Sequence, residues 1–156
     1  MALEVRIVSR EAEKLVGMQI RTSMEKATTD CPKLWKVFGP RIKEINTGGK
    51  CYSCGVSLAS DNPDSMDFEY WAAMPLGAGA AIPEGMATLD LEAGLYAEFK
   101  VPSLADLGDA YNYIYFEWMK SQQEYTINMA GISCEHYTPN YQDSEPILIY
   151  VTIDKA

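Results

Sequence analysis

Apolar positions along the chain change their spacing in a way that marks out elements. From Leu3 to Ile20 β-branched residues are interleaved with charges, the pattern of one or two strands, with a bulge expected near Gly17. Leu34, Trp35, Phe38, Ile42 and Ile45 then recur at helical intervals, which predicts a helix. Asp30 is placed to cap it, Pro32 suits its first turn, Gly39-Pro40 kinks it and Gly48-Gly49 ends it. Two strand-like runs, Cys51 to Ala59 and Asp67 to Pro75, flank the turn formers Ser60, Asp61, Asn62, Pro63 and Asp64 and read as a hairpin. Gly77 to Gly85 is rich in glycine and alanine and reads as a connection; it lacks the GxxxxGK[ST] spacing of a phosphate cradle.

The same order then returns. A strand is predicted from about Thr88 to Val101. A helix follows, introduced by Pro102, with Ser103 and Asp106 spaced as a capping box and Leu104, Leu107, Tyr111, Ile114, Tyr115 and Trp118 on its apolar face. Two last strands are expected near Ile132 to Thr138 and Pro146 to Ile153, the second alternating Ile147, Ile149, Val151 and Ile153. Strand, helix, strand, strand therefore occurs twice. This predicts an α+β fold: duplicated βαββ units, about 1–76 and 86–156, in one domain over 1–156. Their strands form an antiparallel sheet with two helices on one face and a ligand cleft between the halves.

Composition narrows the function classes. The 156 residues suffice for one domain with a core, and 47% hydrophobic with 22% charged residues is a globular profile. A formal charge of -9 disfavours a direct nucleic-acid partner or an anionic membrane and favours cations. No apolar run is long enough to span a membrane, and Met1 to Arg10 does not resemble a signal peptide, so a cytoplasmic location is expected. Four cysteines fit free thiols in a reducing compartment. The Cys51-x-x-Cys54 pair has no second CxxC and only His136 to complete a tetrahedral site, so no metal and no cofactor are expected. His136 reads as a solvated surface residue.

Four landmarks together resemble one family. They are Leu34-Trp35-Lys36-Val37-Phe38, Leu91-Glu92-Ala93-Gly94-Leu95-Tyr96-Ala97, the helix with Tyr111, Ile114, Tyr115 and Trp118, and Glu135-His136-Tyr137. In order and spacing they are similar to the GyrI-like domain, the effector-binding module of multidrug-sensing AraC-type and MerR-type regulators, which also occurs free-standing. The resemblance covers nearly the whole chain. It implies two βαββ units around a ligand cavity, with the family's key glutamate carried over to Glu135. It also implies lipophilic cations as ligands. The stretch before Leu3 is too short for a helix-turn-helix domain, so a role in transcription would call for a separate regulator protein as partner; a homo-oligomer is compatible with the sequence.

A lipophilic cation needs apolar surface, aromatic faces and a carboxylate. Ten tyrosines, three tryptophans and four phenylalanines supply the rings. The candidate site is Glu135 and Tyr137 with Trp35, Phe38, Tyr52, Phe68, Tyr70, Trp71, Tyr111, Tyr115 and Trp118. Alternation directs Glu135 and Tyr137 to one face of their strand and Cys134 and His136 to the other. Trp71, out of phase with Phe68 and Tyr70, is expected at a pocket rim or on the surface, while single aromatics on the helix faces are equally the ordinary signature of core. A charge attraction of about 4 kcal/mol at contact and about 0.5 to 2 kcal/mol per aromatic face suggest micromolar binding of many ligands. Two other functions are weighed: a hydrolase using the pocket glutamate as a general base, and a protein-interaction adaptor.

Overall fold

The computed structural model describes residues 2–50, 52–59, 67–129, 131–138, 141–142 and 144–156. Cys51 and the turn expected at 60–64 lie outside them. Among the described residues nine strands alternate with two helical regions. The first half contains β1 (Glu4–Arg10), β2 (Glu13–Ser23), α1 (Ala27–Phe38) with a 3-10 extension (Gly39–Glu44), β3 (Ser53–Ala59) and β4 (Asp67–Pro75). The second contains β5 (Ala87–Leu91), β6 (Gly94–Val101), a 3-10 turn (Leu104–Asp106), α2 (Leu107–Asn112), β7 (Tyr125–Ile127), β8 (Ile132–Tyr137) and β9 (Ile147–Lys155). Between α2 and β7 the second helix continues through a π-helical stretch (Tyr113–Trp118) and a last α turn (Met119–Ser121). None of these helices is long and apolar enough to cross a membrane.

All pairings are antiparallel, in the order β1-β6-β9-β8-β3-β4-β2-β5, with β7 beside the end of β9. The order is symmetric about the β8–β3 contact, where the two halves meet. The outer strands are exchanged: β1 of the first half pairs with β6, and β5 of the second with β2. Arg10 opposes Gly94 and Glu13 opposes Leu91, three residues further on in both strands. The register therefore runs unbroken through the bend, and β1-β2 and β5-β6 form one long two-stranded ribbon. The expected break near Gly17 instead falls at Glu11–Ala12, and the strand expected over 88–101 breaks at Glu92–Ala93. Gly17 lies inside β2, where a Cβ would sit 2.0 Å from the Ala72 carbonyl oxygen, so glycine there permits close approach to β4.

Directly opposed residues share a face. Glu135 opposes Gly55 and Ile149; Gly55 opposes Ala72, and Ile149 opposes Phe99. Both helices cover this face. Leu34 and Phe38 of α1 pack with Val16, Tyr70, Ala72 and Met74, and Ala110, Ile114 and Trp118 of the second helix pack with Phe99, Val101, Ile147 and Ile149. Phe99 and Trp118 meet edge to face at 5.0 Å, an arrangement worth about 0.5–1.5 kcal/mol beyond area burial. The opposite face curls over its own core of Leu15, Cys54, Val56, Trp71, Cys134 and Tyr150.

The helix ends differ from the sequence reading. α1 starts a turn earlier, after Lys26, so Asp30 lies in its first turn and accepts the Thr22 hydroxyl at 2.8 Å instead of capping. A carboxylate there still complements the helix dipole. At Gly39-Pro40 the α-helix tightens into a 3-10 helix because proline has no N–H to continue the ladder, and the chain becomes extended at Ile45, ahead of Gly48-Gly49. Ser103 bonds the Asp106 carboxylate side chain to side chain at 2.8 Å, replacing the expected capping box.

Candidate functional site

Alternation along β8 presents Glu135 and Tyr137 to the helices. Glu135 sits at the seam of the two halves, 5% exposed, and both its oxygens are engaged. The Tyr111 hydroxyl, from α2, donates to Oε2 at 2.6 Å, and the Tyr137 hydroxyl donates to Oε1 at 2.5 Å. From the other side α1 contributes Trp35, whose Nε1 donates to the Tyr70 hydroxyl at 2.8 Å. The Trp35 ring meets Tyr137 edge to face at 5.8 Å, and Tyr115 stacks on Tyr111 at 6.4 Å. Gly55 forms the floor: a Cβ there would lie 2.5 Å from the Tyr70 hydroxyl and 3.2 Å from Glu135 Oε1.

These surroundings set the protonation states. Burial raises the Glu135 pKa above the ordinary carboxyl value, with the two phenol bonds opposing the rise and Cys134 adding to it. Burial, and next the Glu135 charge, keep Tyr70 and Tyr111 protonated. Cys31, four residues before Trp35 on α1, is pushed up to about 12 by burial, then by Glu135 and Asp30. Among these groups Glu135 has the lowest ordinary pKa, and burial raises it. The ion pairs of the described residues, Arg6–Glu98, Lys14–Asp90, Arg41–Glu44 and Lys50–Glu13, do not include it.

Of the residues singled out from sequence, Glu135, Tyr137, Trp35, Tyr70, Tyr111 and Tyr115 are brought together. Phe68 is half-buried in the same cluster as Trp35 and Tyr70. Phe38 lies wholly buried beneath Trp35, and Trp118 is core against Phe99. Two lie elsewhere. Trp71 is on the opposite face, 4% exposed, its Nε1 donating to the Glu69 carboxylate, so it is neither rim nor surface. Tyr52 is also on that face, stacked on His136 and bonded to Glu13. His136 itself is half-buried there rather than solvated. Cys31 and Gly55 escaped the sequence reading; the i, i+4 spacing of Cys31 and Trp35 was the available signal. An open groove of about 730 Å³, lined by residues including Glu13, Lys14, Lys50, Gly77 and Ile82, contains none of the rings around Glu135.

The two-helix antiparallel sheet is that of the GyrI-like fold, a class of effector-binding domains. The chain belongs to the Cass2 family of integron-associated effector binding proteins, whose family model matches residues 6–153. Comparison with curated protein sequences gives no match. Among solved structures, the chain is similar to an integron cassette protein of Vibrio cholerae, with a TM-score of 0.70, 12% identity, and 96% of this chain and 95% of that one covered. It is similar to the protein SAV2435 bound to tetraphenylphosphonium, with a TM-score of 0.77, 13% identity and coverages of 97% and 94%. It is similar to the C-terminal domain of EcmrR, with a TM-score of 0.65, 13% identity and both chains fully covered at 100%. At these identities the likeness is one of fold.

Proposed function

We propose that the protein binds small lipophilic cations between its two helices, with Glu135 as counter-charge and Trp35, Tyr70, Tyr111, Tyr115 and Tyr137 as walls. Phe68 extends the apolar surface on the α1 side. The observation that carries this reading is the buried Glu135 carboxylate, held by two phenols and paired with no basic side chain among the described residues. A buried carboxylate is costly while ionised, and a bound cation offsets that cost, whereas a neutral ligand does not. Rings have negative faces, so they add attraction without fixing one ligand shape, which suits many cations at micromolar affinity. The tetraphenylphosphonium on SAV2435, a protein of this fold, is a ligand of that kind. Such binding serves either to sequester the compounds or to report them to a separate regulator.

Hydrolysis by the same carboxylate has less support, since both its oxygens already accept phenol O–H bonds. Titration with tetraphenylphosphonium, followed by tryptophan fluorescence, tests the proposal. Saturable micromolar binding is expected, weakened about tenfold or more, roughly 1.4 kcal/mol, by Glu135→Gln. Neutral triphenylphosphine oxide should not distinguish the two proteins. Equal binding of the cation by both would remove Glu135 from the site.

A further inference from the structure

The face of the sheet turned away from the helices holds a second cluster. Cys54 directly opposes His136 across β3 and β8, and Cys134 lies two residues before His136 on the same side of β8. One potential donor atom from each of Cys54, Cys134 and His136 lies within 4.8 Å of the others. Both thiols are buried, at 0% and 1% exposure, and the imidazole is half-buried. His136 is flanked by Tyr52, stacked at 4.6 Å, and by Tyr150 at 4.7 Å. Arg10 reaches its Nε2 at 3.2 Å while its guanidinium lies 4.3 Å from the Tyr150 ring centre. None of these side chains belongs to the Glu135 site, which lies across the thickness of the sheet.

We propose that Cys54, Cys134 and His136 form a binding site for a thiophilic metal ion of the Zn²⁺ type. Two thiolates and an imidazole are a donor set zinc accepts, with a fourth position open to water or another small ligand. Zinc bonds of about 2.3 Å to sulfur and about 2.0–2.1 Å to nitrogen bring tetrahedral donors roughly 3.3–3.9 Å apart. Strand pairing already presents the three side chains side by side, with donor atoms within 4.8 Å of one another. The charge balances: two thiolates cancel a dication, so the buried complex is neutral apart from its surroundings.

The proton balance follows from the cluster. Zinc ligates thiolates, so metal binding releases to solvent the protons that the two thiols carry. Arg10 lies 3.2 Å from Nε2 of His136, so Nδ1 would be the nitrogen offered to the metal. The spacing of Cys51 and Cys54 along the chain does not reveal this site, because the partners of Cys54 come from another strand.

The test uses tag-free, metal-stripped protein kept reduced with a phosphine. Added Co²⁺ should give, at one equivalent, the intense visible bands of a tetrahedral site and sulfur-to-cobalt charge transfer, both bleached by Zn²⁺. Zn²⁺ should bind with submicromolar affinity near neutral pH. Cys54→Ser and Cys134→Ser should each weaken uptake about a hundredfold, and His136→Gln about tenfold. Cys31→Ser, on the helical side, should leave it unchanged, and circular dichroism with tetraphenylphosphonium titration shows whether the variants keep their fold and first site. No stoichiometric Co²⁺ bands in the wild type, or bands that survive in the Cys54→Ser/Cys134→Ser double variant, would overturn the proposal.

Discussion

Gly55 and Glu135 face each other directly across β3 and β8, and the absent side chain of one leaves room for the carboxylate of the other. The seam of the two halves is thus the place where an acid can be buried beside a phenol from β4. A methyl group added at Gly55 meets the Tyr70 hydroxyl and Glu135 Oε1, which are ends of side chains and can yield. Gly55→Ala is therefore expected to cost about 1–3 kcal/mol of stability and to weaken cation binding by crowding the floor. Gly17→Ala should cost more, because its Cβ would meet backbone, the Ala72 oxygen at 2.0 Å and Ala73 Cα at 2.7 Å. Urea midpoints of the two variants, with tetraphenylphosphonium titration of the first, check both statements; a neutral Gly55→Ala with unaltered binding would show the floor to be loose.

Burial raises the Glu135 pKa in the folded protein, so between the ordinary carboxyl value and that raised value the folded state holds more protons than the unfolded. This contribution to stability is fully present at low pH and is lost as pH rises through the folded-state pKa, after which it is level. Denaturant midpoints across the acid-to-neutral range should fall with pH more steeply in the wild type than in Glu135→Gln. Saturating tetraphenylphosphonium, which favours the ionised form, should flatten the wild-type slope. Parallel curves for the two proteins would mean that Glu135 titrates normally.

Cys31 gives an optical-free reading of the same charge. With its pKa raised from 9.0 to about 12, its thiolate at neutral pH is about a thousandfold scarcer than that of an unperturbed thiol. Iodoacetamide should label it correspondingly slowly. Glu135 is the largest charge acting on it, so Glu135→Gln should speed labelling, as read by mass spectrometry of the Cys31 peptide. A slower or unchanged rate would show that burial alone protects the thiol.

Much of the fold was legible because its signals are local. The stripes Leu34-Phe38 and Ile114-Trp118 face the sheet as their helical spacing required, and alternation separated Glu135 and Tyr137 from Cys134 and His136. Alternation also put Trp71 out of phase with Tyr70, but it could not say that the far face is buried, since the curl of the sheet depends on pairings far apart in sequence. Tyr52, counted among the candidate site residues, likewise lies on the far face beside His136. The exchange of β1 and β5, the breaks at Glu11–Ala12 and Glu92–Ala93, the short β7 and the π-helical stretch have no local pattern that distinguishes them.

The exchanged outer strands also bear on how the chain acquires its shape. Glu4 can be satisfied only after Lys100 has been synthesised, and β2 waits for β5 along its bent end. Long-range pairing of this kind is slow to nucleate. A nascent chain that stops within the first half leaves β1 without its partner strand, its backbone groups unpaired until β6 has been made.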